Sequence, residues 1–241
     1  MTNNFKIKKA FSLLEILISS TIFALIMIMT TATIAQSSSY KNKLRAQREV
    51  SEDSRRLADQ ITRDVRNSTE KATIQIGSTT KTFKNGLALL NCHTGSCSFV
   101  NDTSLSNDID YGNFFSSPFS FSYNANVLVA TTKDGYRVYM TVKNSINSSG
   151  VYYKLFSGTS KLTSNDIVSM NVPNQITSAN NETVVNFGGF APNDALALGS
   201  SQQPFIQFYI TSRTKDFDNL STSERALTQI KSSVTSRSYN N

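Results

Sequence analysis

All ten glycines and all four prolines of this 241-residue chain fall at Gly77 or later, so nothing in the first 76 residues obliges a helix to break. Within that stretch the run from Phe11 to Ala35, FSLLEILISSTIFALIMIMTTATIA, is 25 residues long and carries one charge, Glu15. As a helix rising about 1.5 Å per residue it reaches about 37 Å, more than the roughly 30 Å of hydrocarbon in a bilayer. The run can span a membrane. From Ser37 to about Asn67 the apolar positions Tyr40, Leu44, Val50, Leu57, Ala58, Ile61 and Val65 mostly recur at helical spacing, with Gln47 and Ser54 interrupting the stripe. Glu52 before Arg56 and Asp59 before Arg63 place acids four residues ahead of bases, each pair contributing about 0.2–0.5 kcal/mol. The expectation is a single helix of about 55 residues, lipid-embedded in its first half and amphipathic in its second.

After Asn67 the periodicity changes to short apolar or β-branched runs between turn residues. Strands are expected at Ala72 to Ile76, Leu87 to Asn91, Phe119 to Tyr123, Val127 to Thr131, Tyr136 to Val142 and Val151 to Phe156. Further strands are expected at Ile167 to Val172, Thr183 to Phe187, Phe205 to Thr211 and Leu227 to Thr235. Both faces of Phe205 to Thr211 are apolar, which marks a central or covered strand. Residues 143–150 and 157–165 read as turns, and 99–118 as a long loop. The fold class expected is α+β: a long N-terminal helix packed on an antiparallel, β-rich head. The segments are 1–10 as a leader, 11–36 as the hydrophobic helix, 37–70 as its amphipathic half and 71–241 as the head.

A formal charge of +7 raises nucleic acid as a partner, but its distribution argues against one. Lys6, Lys8 and Lys9 precede the apolar run, and residues 72–241 carry twelve bases against ten acids, so the head is close to neutral. Basic residues flank the run on both sides, with Lys41, Lys43, Arg45 and Arg48 following it, so the positive-inside rule leaves the orientation open. The small residue Ala10 stands before the apolar run rather than after it, so cleavage there would leave the hydrophobic segment on the mature chain. An ordinary uncut signal anchor is the alternative.

Glu15 is the most informative residue. A carboxylate at the centre of a membrane helix costs about 2.5–3.5 kcal/mol on insertion scales. It either sits shallow enough to reach the interface or pairs with a positive group from another chain. Cutting between Ala10 and Phe11 would create an α-amine four residues before Glu15, and in an array of parallel helices one subunit's amine can meet the next subunit's carboxylate.

The run Lys8, Lys9, Ala10, Phe11, Ser12, Leu13, Leu14, Glu15, followed by the long apolar stretch, resembles the prepilin signal of type IV pilins and type II secretion pseudopilins. The resemblance implies that a prepilin peptidase removes the leader between Ala10 and Phe11, that Phe11 is N-methylated, and that Glu15 is the assembly carboxylate. Ala10 stands where the family usually has Gly, and no proline interrupts the apolar helix, so no proline kink is expected. The order of later strands is similar to that of the larger minor subunits, the J-type pseudopilins and W-type minor pilins. By resemblance the partners are other minor and major pilins or pseudopilins, the prepilin peptidase and an inner-membrane assembly platform. The place implied is the cytoplasmic membrane, single-pass with the head outside the cytoplasm, and then a pilus or pseudopilus.

Cys92 and Cys97 bracket a four-residue turn, His93 to Ser96. In a domain beyond the cytoplasmic membrane a disulfide is the leading expectation, worth about 2 kcal/mol by loop closure, with free thiols the alternative. A zinc site is disfavoured, because His93 is the chain's one histidine and brings the ligands only to three. The single His also removes most triad arrangements, and no Gly-rich phosphate loop occurs. Asp102, Asp108 and Asp110 lack the EF-hand spacing, and Asp134, Glu182 and Asp194 are too scattered to pair from sequence. Neither an enzyme nor a cofactor is expected. The reading is a structural minor subunit that initiates or caps a filament; the alternatives are a surface binding or hydrolytic domain on an uncut anchor, and a DNA-uptake pilus component.

Overall fold

A computed structural model of the chain describes residues 13–68, 71–83, 86–93, 96–100, 125–144, 148–170, 175–189, 205–222 and 224–236. The chain is α+β. Helix α1 (Leu13–Arg66) runs unbroken for 54 residues, as a stretch without Gly or Pro allows. It ends where Asn67 donates its N–H to the Arg63 carbonyl, with Arg63 and Arg66 in the last turn at the negative end of the helix dipole. The strands that follow are β1 (Ala72–Ile76), β2 (Thr79–Phe83), β3 (Leu87–His93), β4 (Ser96–Phe99), β5 (Val127–Thr132), β6 (Gly135–Asn144) and β7 (Ser148–Phe156). Then come β8 (Leu162–Thr163), the short helix α2 (Ser164–Val168), β9 (Asn181–Gly189), β10 (Phe205–Thr214) and β11 (Leu227–Thr235).

They form three sheets in the orders β2-β1-β8, β4-β3-β5-β6-β7 and β11-β10-β9. Every pairing is antiparallel except β1 with β8, which is parallel over two residues. The five-stranded sheet supplies both cores from alternate positions, the period of a pleated strand. Ala88, Leu90, Val127, Val129, Val138 and Met140 join Ile74, Phe83, Leu162 and Ile167 in one core. Leu87, Leu89, Leu128, Ala130 and Tyr139 face the other, with Leu57, Ile61 and Val65 of α1 and Val185, Phe187, Phe208 and Ile210 of the third sheet. All of β5 is buried for this reason, and its first four residues, Val127 to Ala130, read as a continuous apolar run rather than an alternating one. β10, apolar on both faces, is the central strand of its sheet.

The buried stripe of α1 comprises Val50, Ser54, Leu57, Ile61, Asp64 and Val65, each apolar member contributing roughly 1.5–3 kcal/mol by burial. Two sequence expectations are corrected along it. Tyr40 and Leu44 are 64% and 47% exposed, because full burial of α1 begins only at Val50. Ser54 does not interrupt the stripe but lies in it, its hydroxyl donating to the Val50 carbonyl at 2.8 Å and so needing no partner from the head.

Elsewhere, the strand expected over Ile167 to Val172 does not form at its start, where Ile167 and Val168 belong to α2 (Ser164–Val168), and its residues 171–172 lie outside the described residues. The start of α2 is a capping box in which Thr163 and Asp166 satisfy each other's backbone N–H, and this local bonding outweighs the β preference of Ile167 and Val168. The turn expected over 157–165 contains β8, whose Leu162 is fully buried beside Ile74. The turn expected over 143–150 is shorter, since β6 continues to Asn144 and β7 starts at Ser148. β2 and β4 were not expected. The Phe119 to Tyr123 strand, the loop beyond Val100, Asp102, Asp108, Asp110 and Asp194 lie outside the described residues.

Candidate functional site

The side chains of α1 from Leu13 to Glu49 are exposed, except the half-buried Ala46. This free part extends about 55 Å at the helical rise. Its first half is apolar all round: Leu14, Ile18, Phe23, Leu25, Ile28 and Ile34 are 48–69% exposed on every side of the helix. Such a helix has no stable place in water, and it is long and apolar enough to cross a membrane. Its hydroxyls suit that environment. Ser20 donates to Leu17 O, Thr21 to Ile18 O, Thr30 to Ile26 O and Thr33 to Met29 O, at 2.7–2.9 Å. The hydroxyl protons of these four side chains are satisfied without water or a partner helix.

Glu15 lies in the first turn of the described helix, exposed. At helical spacing it shares a face with Ile18, Ser19 and Ile22, so any neighbour that packs this face meets the carboxylate. The position also lets it favour the positive end of the helix dipole. Ala10 and Phe11 lie outside the described residues.

Where the helix joins the head, two of its acids are taken up by distant partners. Asp64, 2% exposed, accepts from Arg137 Nη1 at 2.9 Å and from the Tyr139 hydroxyl through a short hydrogen bond. Arg137 also holds Asp134 at 2.9 Å, so one guanidinium ties α1 to the β5–β6 turn. Burial first, and then the neighbouring Asp64 carboxylate, push the Tyr139 hydroxyl well above the usual phenol range, which keeps it a donor. Asp53 accepts from Ser178 N–H at 3.0 Å and from Asn181 Nδ2 at 2.9 Å. These residues anchor the helix in register; sequence reading named Asp134 without a partner and passed over the rest. The available signal was a charge on an apolar stripe: Asp64 follows Leu57 and Ile61 at helical spacing.

Cys92 and Cys97, directly paired residues of β3 and β4, are joined by a disulfide and half-seal the edge of the first core. Asn126 accepts from Cys92 N–H at 2.8 Å and donates to Cys92 O at 2.6 Å, fixing the same strand from the other side. Asp134 and Glu182 both face arginines, Arg137 and Arg213, rather than a second carboxylate. Among the described residues no three His, Cys, Asp or Glu side chains gather as a metal site.

Fold and site together define an α+β protein whose head carries one exposed, membrane-capable N-terminal helix. No family model, no curated protein and no solved structure matches the chain.

Proposed function

We propose that this chain is a structural subunit of a helix-cored filament, a minor pilin or pseudopilin, in which α1 serves first as a membrane anchor and then as the packing element. The observation that carries the reading is an exposed helix whose first half is apolar, with one acid in its first turn, behind the Lys8-Lys9-Ala10-Phe11 signal. Cleavage after Ala10 makes a cationic amine at Phe11, and Glu15 of a neighbouring subunit neutralises it as helices pack, so two buried charges are compensated in one contact. The proposed partners are other pilin-like subunits, the peptidase that cuts the leader and an assembly platform in the membrane. The disulfide supports a head that works in an oxidising compartment outside the cytoplasm.

Mass spectrometry of protein extracted from native membranes tests the processing step: the reading expects a mature chain beginning at methylated Phe11, and an intact leader overturns it. Glu15→Ala tests assembly. The variant should reach the membrane with its head folded and fail to enter filaments, whereas incorporation at the normal level refutes the role given to Glu15.

A further inference from the structure

Just past its apolar half, α1 carries a second feature, to which the pairing proposed for Glu15 assigns no role. Between Glu15 and Glu49 the chain has no acid, yet Lys41, Lys43, Arg45 and Arg48 fall within eight residues. All four are exposed, and the head does not begin to cover the helix until Val50. Arg48 turns away toward Glu52, one turn on, at 4.0 Å.

We propose that Lys41, Lys43 and Arg45 form a belt that binds the headgroups of anionic phospholipids where α1 leaves the bilayer. Height above the apolar run supports that occupant. Lys41, Lys43 and Arg45 lie about 9, 12 and 15 Å beyond Ala35 at the helical rise. The headgroup layer is about 5–8 Å deep on each side of the hydrocarbon. Long basic side chains that bend back along the helix therefore place their charges in or at the edge of that layer. Direction supports it too. At about 100° per residue Lys41 and Arg45 share one side of the helix and Lys43 lies nearly opposite. A protein partner would read one face, whereas a lipid layer surrounds the helix and meets charges on every side. Tyr40, 64% exposed at the same level, adds the aromatic ring that favours this interface. The belt requires that α1 cross a bilayer; it does not require that the chain join a filament.

To test it, the full chain carrying Lys6→Gln/Lys8→Gln/Lys9→Gln, which removes the bases on the other side of the apolar run, is reconstituted into vesicles of equal phosphatidylglycerol and phosphatidylcholine and extracted in mild detergent, and the lipids it retains are counted by native mass spectrometry. Phosphatidylglycerol should be enriched by about fivefold or more, the factor that one surface base near anionic lipid provides. Lys41→Gln/Lys43→Gln/Arg45→Gln should bring retention to parity while the head's thermal transition is unchanged, and Arg63→Gln/Arg66→Gln, at the far end of the same helix, should keep the enrichment. Equal retention by the chain that keeps Lys41, Lys43 and Arg45 overturns the proposal, as does enrichment that survives their replacement or vanishes in the Arg63/Arg66 variant. A salt-sensitive dimer in place of bound lipid also overturns it, since the belt would then serve a second copy.

Discussion

Asp64 shows how a single side chain sets the position of a long helix. Its carboxylate is buried and accepts from both Arg137 and Tyr139. Arg137→Ala leaves the charge with one hydroxyl and should cost about 3 kcal/mol or more, because an unpaired buried charge keeps its desolvation penalty. Tyr139→Phe removes one donor but retains the ion pair, so a smaller loss of about 1–3 kcal/mol is expected. Urea unfolding of the two variants checks the order, and equal losses would count against the ion pair as the dominant partner. Asp166 offers a pH-dependent counterpart at the surface. The Thr163 hydroxyl, at 2.6 Å, and then the Thr163 N–H, at 2.9 Å, hold its carboxyl below the usual carboxylate range. A depressed folded value means that the cap's contribution is complete above the ordinary value of about 3.9 and is lost as pH falls through the lower folded value. An NMR titration should therefore find the Asp166 midpoint below that of an exposed aspartate, and Thr163→Val should move it upward; an unshifted midpoint would show that the box does not form in solution.

Among the elements, the β5–β6 hairpin depends on Gly135, whose φ of +129° is one that L side chains rarely adopt. A Cβ there would also stand 2.2 Å from the Phe156 carbonyl oxygen on β7, where the neighbour is backbone and cannot swing aside. Gly135→Ala should accordingly destabilise by about 2 kcal/mol or more, with a lower melting temperature as the readout, whereas Gly77→Ala, with open space around it, should cost less. An equal loss at both glycines would put the whole effect on φ. The same contrast between local and remote causes explains which elements could be read before the fold was known. α1 was legible because its signals, no Gly or Pro and an unbroken apolar run, are local, and β5, β6 and β7 were legible as β-branched runs. β2 is Thr79–Phe83, polar but for its last residue, and exists because it pairs with β1; α2 has only five residues and is signalled by its cap. At the site, Glu15 stood out as a lone charge in an apolar run. The roles of Asp53 and Asp64 depended on partners 73 to 128 residues away, which no local pattern discloses.

For the whole molecule, the boundary that matters is Val50, where burial of α1 begins. Upstream of it no described residue of the helix is fully buried, so its folding there is supported by the helix's own hydrogen bonds, and the apolar run suits an environment without water. The head instead holds both cores, the disulfide and the Asp53 and Asp64 anchors within residues 50–236. A fragment beginning at Ser37 should therefore dissolve without detergent and keep the cooperative melting transition of the full chain to within about 2 °C, since no buried group is removed. Residues 37–49 of that fragment should fray, because a polar helical end with no tertiary contact is marginal in water, and amide hydrogen exchange should find them unprotected up to Val50 and protected beyond Leu57. A fragment beginning at Leu57 tests the complement. It loses the buried Val50 and Ser54 and both bonds to Asp53, and should melt several degrees lower. If the longer fragment aggregates or melts as low as the shorter one, the head draws stability from the apolar half, and the division of α1 into a free span and a docked half is wrong.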